Sequence, residues 1–161
     1  MSDVMLDPMA QWLLLDVQEA PQALKILREE FAGLPRFWLF DATEFQPLRE
    51  QGPLLIELHD SEALLECCQR DPQTWRGLLL DSEVSSAELL LHLRRMLTVS
   101  FGLHHRALLS YYNRQTASYF FDACDARELS RWLGPIQQLR WYGGTWVDQA
   151  IGSHGWQQLH N

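Results

Sequence analysis

The sequence predicts an α/β fold: a single domain with a mostly parallel central sheet flanked by helices, closed by a C-terminal helical segment and a hairpin. Two observations carry that expectation. Short, unbroken apolar runs recur at residues 12–16, 36–41, 53–58 and 77–81, and a run that does not alternate is the pattern of a strand buried on both faces. Amphipathic helical stretches separate most of these runs, and parallel neighbours require such crossovers. A chain of 161 residues has the length of one ordinary domain, whose core can form without disulfide or metal support.

Taken in order, Trp12-Leu13-Leu14-Leu15 followed by Asp16 is the first strand. Pro21 opens a helix whose Leu24, Leu27 and Phe31 recur at helical spacing, and Gly33 with Pro35 stops it. Residues 36–41 are read as a second buried strand and residues 53–58 as a third, after a turn at Gly52. A short helix over 61–69 ends at Asp71-Pro72, and residues 77–81 form the fourth strand. Ser85 and Glu88 have capping-box spacing and begin a helix expected to run to Phe101, with Gly102 ending it. Its core face is Leu89, Leu90, Leu93, Met96, Leu97 and Phe101, and Glu88, His92 and Arg95 share the opposite face. A fifth strand is expected over 106–112, with Leu108 and Leu109 inside and Tyr111 and Tyr112 near its end. Two helices follow, over 115–123 and from Asp125 to Gly134-Pro135, the second with a cap at Asp125 and Glu128. Gly143-Gly144 reads as a two-residue hairpin turn between strands at 138–142 and 145–148, and the tail over 150–161 reads as coil.

Charge and composition exclude several functions. A formal charge of −8 and a pI near 5.1 would repel a phosphate backbone, so nucleic acid is not an expected partner. Lys25 is the only lysine, which removes most candidates for Schiff-base or phosphate chemistry. No apolar stretch approaches the roughly 18 residues of a membrane span, and residues 1–11 lack the pattern of a secretory signal. Cys67, Cys68 and Cys124 form neither a zinc set nor a disulfide framework, in keeping with a reducing, cytoplasmic setting. The six histidines, His104 and His105 included, have no ligand spacing. No phosphate-cradling loop or nucleophile elbow is present. No enzyme activity, cofactor or metal is expected. The alternative is a metal-dependent or phosphoryl-binding domain using Asp16, Asp41 and Asp81 at strand ends, where open parallel sheets place ligands.

The chain carries seven Trp and four Tyr, more aromatic surface than a minimal core needs. Trp75, Tyr111, Tyr112, Trp141, Trp146 and Trp156 lie near expected element ends, where some should face a partner, and all but Trp146 are the candidate partner-binding residues, since aromatic side chains anchor interfaces at low entropic cost.

The order of four runs is informative: residues 12–16, 37–41, 52–58 and 75–82, the last reading Trp-Arg-Gly-Leu-Leu-Leu-Asp-Ser. With Leu89-Leu-Leu-His-Leu-Arg-Arg-Met-Leu-Thr-Val99, the pair Tyr111-Tyr112 and Gly134-Pro135-Ile136, it resembles the type VI secretion effector chaperone, or adaptor, family over residues 12–142. Where that family has an Arg-aromatic-Tyr-Asp-Pro-Arg stretch, this chain reads Ser110-Tyr-Tyr-Asn-Arg-Gln115, so only the tyrosines match. The resemblance implies a cytoplasmic adaptor that binds a toxic effector and helps load it on the VgrG spike. It also implies partner selection by the core domain or by the tail around Trp156. The expected recognition surface is exposed, aromatic and aliphatic, with Tyr111 and Tyr112 as its anchors.

Overall fold

The computed structural model describes residues 11–161; the stretch read above for a secretory signal lies outside the described residues, except for Gln11. In chain order the elements are β1 (Trp12–Leu15), α1 (Pro21–Glu30), β2 (Arg36–Trp38), a 3-10 segment (Gln46–Gln51), β3 (Leu54–Glu57), α2 (Glu62–Arg70), β4 (Gly77–Ser82) and α3 (Ser86–Arg95). They continue with β5 (Thr98–Phe101), β6 (His105–Leu108), α4 (Arg114–Ala123), α5 (Ala126–Leu133), β7 (Ile136–Gly143), α6 (Trp146–Ile151) and β8 (Gly155–His160).

Local chemistry explains most helix starts. Pro21 occupies the first turn of α1, where its missing N–H costs nothing. The hydroxyls of Ser61 and Ser85 accept from the main-chain N–H of Leu64 and Glu88. The Asn113 carbonyl oxygen caps α4 by accepting from Gln115 and Thr116. Asp125 and Thr145 form reciprocal capping boxes with Glu128 and Asp148.

The α/β class holds, but the expected parallel sheet is corrected. The main sheet has six strands in the order β2-β3-β1-β4-β7-β8, and every neighbouring pair is antiparallel. Both crossovers do join parallel strands, β1-α1-β2 and β3-α2-β4. Each pair is split by one strand of the other unit: β3 lies between β2 and β1, and β1 lies between β3 and β4. This is the interlocked split β-α-β arrangement. The apolar runs reflect burial on both faces, which here comes from helices on both sides of an antiparallel sheet.

Two cores result. On one face Leu13, Leu15, Leu54, Ile56 and Leu79 pack with Ala23 and Leu27 of α1 and with Leu64, Leu65 and Cys68 of α2. On the other, Trp12, Leu14, Leu55, Leu78 and Leu80 meet α3, α4 and α5 through residues including Leu89, Leu93, Phe121, Trp132 and Leu133. Burial pushes the Cys68 thiol up, out of the reactive range.

Four local expectations change as well. The stretch read as the second buried strand contributes only the three half-buried residues of β2, at the sheet edge. Helix α3 ends at Arg95, and Thr98–Phe101 pairs instead with His105–Leu108 in a separate two-stranded hairpin turning at Gly102. The fifth strand therefore stops at Leu108 and lies outside the main sheet, and Phe101 is exposed. Gly143-Gly144 is no hairpin turn: β7 ends at Gly143, Thr145 caps α6, and the tail read as coil supplies β8, which pairs with β7 from Gly143↔Gly155 to Gln138↔His160.

The centre of the sheet depends on one missing side chain. Gly77 opens β4 opposite Leu15 at φ +152°, and a Cβ there would stand 2.1 Å from the Leu14 carbonyl oxygen. That atom belongs to the neighbouring backbone and cannot rotate away. Gly77→Ala is expected to cost about 3 kcal/mol or more, through backbone strain and separation of β1 from β4. The midpoint and slope of urea unfolding, compared with wild type, measure it.

Candidate protein-binding surface

The residues expected to anchor a partner are mostly interior. Tyr111 is fully buried, and Tyr112, Trp75 and Trp141 are buried too; Trp156 is half-buried. Each has a structural reason to be where it is. Tyr111 donates its hydroxyl to the Leu93 carbonyl at 2.7 Å and stands edge-on to Trp132 at 4.8 Å between ring centres. Phe121 meets the same indole at 4.8 Å, so one aromatic cluster ties α3, α4 and α5 together. Tyr112 packs on Phe40, and burial, aided by the nearby Asp16 carboxyl, pushes its phenol up to about 12. Trp141 donates to the Ser118 hydroxyl at 2.9 Å, joining β7 to α4. Trp75 stacks edge-on against Phe31 at the end of α1, and Trp156 against Tyr142.

The aspartates of the alternative reading are not gathered either. Asp16 and Asp41 follow strands that run the same way, but β4 is antiparallel to β1, so Asp81 lies at the opposite end of the sheet from Asp16. Asp41 is held by Arg49 in a paired contact at 2.6 and 2.9 Å, and that hydrogen bonding keeps its carboxyl below the usual range. Among the described residues no group of three or more His, Cys, Asp or Glu side chains is placed to hold a metal ion. Nor is any helix among them long and apolar enough to cross a membrane.

Asp16 shows what the Tyr-Tyr-Asn stretch does. Its carboxyl is buried, and burial raises its pKa above the ordinary value while the Asn113 side chain, donating Nδ2 at 3.1 Å, partly offsets the rise. The same Asn113 caps α4. A carboxylate at 113 could still cap but could not donate to Asp16, so the amide fits this chain's neighbour. Tyr111, Tyr112 and Asn113 together latch α4 and the end of α3 onto the sheet.

The exposed apolar side chains lie elsewhere. The β5–β6 hairpin presents Val99, Phe101 and Leu108 on its strands, and Leu103, 92% exposed, at its tip. Leu91 faces outward from α3. Cross-strand pairing puts Thr98, Ser100, Arg106 and Leu108 on one face of the hairpin and Val99, Phe101, His105 and Ala107 on the other. Between the first of these faces, the outer side of α3 and the loop after β2 lies a groove of about 390 Å³, lined by Phe45, Leu91, Arg94, Arg95, Thr98 and Arg106 among others. Arg106 pairs with Glu44 across it at 2.7 Å. Arg94 is fixed at its floor by donating to the Leu39 and Trp38 carbonyls at 3.0 and 3.1 Å. Ala42, on the same wall, has φ 62°, a left-handed conformation that costs a non-glycine residue about 1 kcal/mol. A second exposed group, Trp146, Val147 and Ile151, lies on the short helix α6 beside Tyr119, whose hydroxyl accepts from the Trp146 N–H.

Apart from Trp146, these residues were not singled out by the sequence. One signal was available in Leu89-Leu90-Leu91: at 100° per residue three consecutive leucines cannot all face one core, and Leu91 is the one turned away. The hairpin gave no comparable signal, because its exposed residues have the composition of core.

A family model described as "Domain of unknown function (DUF4123)" matches residues 11–131, well over half of the chain. No curated protein and no solved structure matches it significantly.

Two measurements test the structural roles assigned here. Tyr111→Ala should lower stability by about 3–5 kcal/mol through the cavity it leaves, seen as a shift in thermal or urea unfolding irrespective of any partner. Asn113→Asp should set a second carboxylate beside Asp16 and cost about 1–3 kcal/mol at pH 7. The raised Asp16 pKa means the native state holds its proton more tightly than the unfolded state, so this group's contribution is present at low pH and lost as pH rises through the native value. The deficit of Asn113→Asp should accordingly shrink between neutral pH and the ordinary carboxylate range, in urea unfolding repeated across that interval.

Proposed function

The chain belongs to the DUF4123 family, and on that premise we propose that it is a cytoplasmic adaptor that works by holding a partner protein, a type VI secretion effector to be loaded on the VgrG spike, and not by catalysis. The matched residues, 11–131, cover most of the span over 12–142 whose ordered strand, helix and tyrosine pattern resembles the type VI effector chaperones, which supports this reading. The observation that carries it is the β5–β6 hairpin, where Val99, Phe101, Leu103 and Leu108 are exposed on a two-stranded ribbon outside the main sheet. A two-stranded ribbon has little stability of its own in water. Leu103, almost wholly exposed, forgoes about 1.5–3 kcal/mol of burial, and exposed apolar groups gathered on one small element mark an interaction surface.

The surface keeps the expected aromatic and aliphatic character but is built from other residues than Tyr111 and Tyr112. The tyrosines hold the platform together, and the aliphatic and phenyl groups of the hairpin and α3 meet the partner. Size favours a protein over a small ligand, because the exposed groups are spread over a hairpin and a helix flank and converge on no enclosed cavity.

A Phe101→Asp, Leu103→Asp variant tests this reading. Neither side chain belongs to either core, so circular dichroism and the unfolding midpoint should match wild type. A tagged pull-down from the native bacterium should recover an effector or a spike protein with the wild-type chain and at least about tenfold less with the variant, the loss expected when central apolar contacts of an interface are removed. Undiminished recovery by the variant would move the binding surface elsewhere, and no effector or spike with wild type would overturn the adaptor reading.

A further inference from the structure

We infer that the groove between α3 and the β5–β6 hairpin receives an acidic, amphipathic segment of the partner, with its apolar side chains on Leu91 and Phe45 and its carboxylates toward Arg94, Arg95 and Arg106. The inference rests on the adaptor reading and adds to it the chemistry of the segment that is held.

Charge carries the argument. The chain as a whole has a formal charge of −8, yet the reverse sign gathers here. Arg94, Arg95 and Arg106 line the groove, with Arg49 close by on Asp41, and the carboxylates beside them are Asp41 and Glu44. Asp41 is engaged by Arg49 on both oxygens, and Glu44 by Arg106. Arg94 is anchored by two main-chain carbonyls, which fix the guanidinium in place, and it shares the Asp41 carboxyl electrostatically with Arg49, so two carboxylates stand against four guanidinium groups. Arg95 is exposed and makes no hydrogen bond or ion pair among the described residues. The groove is therefore a positive site on a chain of net negative charge, and its field selects an anionic segment.

Geometry adds the apolar half. Leu91 and Phe45 line the same groove as the arginines, and Leu91 is half exposed on the solvent side of α3. Guanidinium groups flanking apolar walls suit a segment in which Asp or Glu alternates with Leu, Ile or Phe on one face. A nucleic acid would meet the same arginines, but a net charge of −8 opposes it beyond the groove.

A photo-crosslinking amino acid placed at Leu91 of the full-length chain, expressed in the native bacterium, tests the inference, with the same group at Lys25 on the outer side of α1 as control. The cross-linked partner peptide is sequenced by mass spectrometry. Leu91 should capture an effector or spike segment of net negative charge interspersed with apolar residues, and Lys25 should not. Arg95→Glu should lower the Leu91 yield about tenfold, as expected for reversing one charge against a complementary segment. Arg95→Lys should retain it, and the wild-type yield should fall as salt is raised from about 0.05 to 0.5 M. A captured segment that is basic or uncharged, a cross-link to a second copy of this chain or to nucleic acid, or a partner recovered by pull-down without any Leu91 cross-link would overturn the inference and leave the adaptor reading standing. Recovery of no effector or spike by the wild-type chain would overturn both.

Discussion

The rest of the molecule depends on β1 being apolar on both faces. Leu13 and Leu15 point to one side of the sheet and Trp12 and Leu14 to the other, and all four are buried. Neither side can be left to water, so a layer of helices is required on each. The two crossover helices α1 and α2 cover one face, and the segment from α3 to α5 covers the other. Pairing reinforces the demand, because β1 is central and bonds to β3 and β4 on its two edges. The Trp12 indole also donates to the Ser86 hydroxyl at 3.3 Å, and that hydroxyl donates to Glu57, so β1, β3 and the start of α3 share one polar contact at the sheet's end.

The second layer shapes the proposed site. Trp132 is surrounded by Tyr111, Phe120 and Phe121 and approached by His92. His92 also donates from Nε2 to the Trp132 carbonyl at 2.7 Å, and its ring lies where a Cβ on Gly134 would be. Burial lowers the imidazole pKa in spite of that bond, so the native contact is made by a neutral ring. This packing holds α3 and the two residues after it in place to Leu97, the last buried residue before the hairpin, where the Leu109 N–H closes the base by donating to the Leu97 carbonyl. Beyond that point the chain leaves both cores. The hairpin has no layer above it, and its apolar side chains remain exposed for that reason.

Much of the architecture was legible in particular residues. The caps at Ser61, Ser85 and Asp125 and the first-turn Pro21 follow from rules that act within a few residues, and they mark helix starts in the sequence as they do in the structure. The helix Ser86–Arg95 was legible at its start and not at its end, because Leu97, Val99 and Phe101 continue an apolar pattern that suits a helix face as well as a strand. Gly143-Gly144 has the composition of a tight turn, but the Thr145 cap directs the following residues into α6. Tyr111 and Tyr112 were read as anchors for a partner and are buried; whether an aromatic side chain is exposed depends on what packs over it, and here α3, α5 and Phe40 do.

The sequence by itself determined the α/β class, the three central strands β1, β3 and β4 and the starts of α1 to α5, because burial pattern and capping are properties of neighbouring residues. Only the tertiary structure decided strand direction and order. An apolar run buried on both faces is the same string of letters in either kind of sheet, and a crossover specifies that two strands are parallel without specifying which strand is inserted between them. The same holds for the surface. Leu91, Phe101 and Leu103 are chemically core residues, and what left them exposed is the end of the layers that could have covered them.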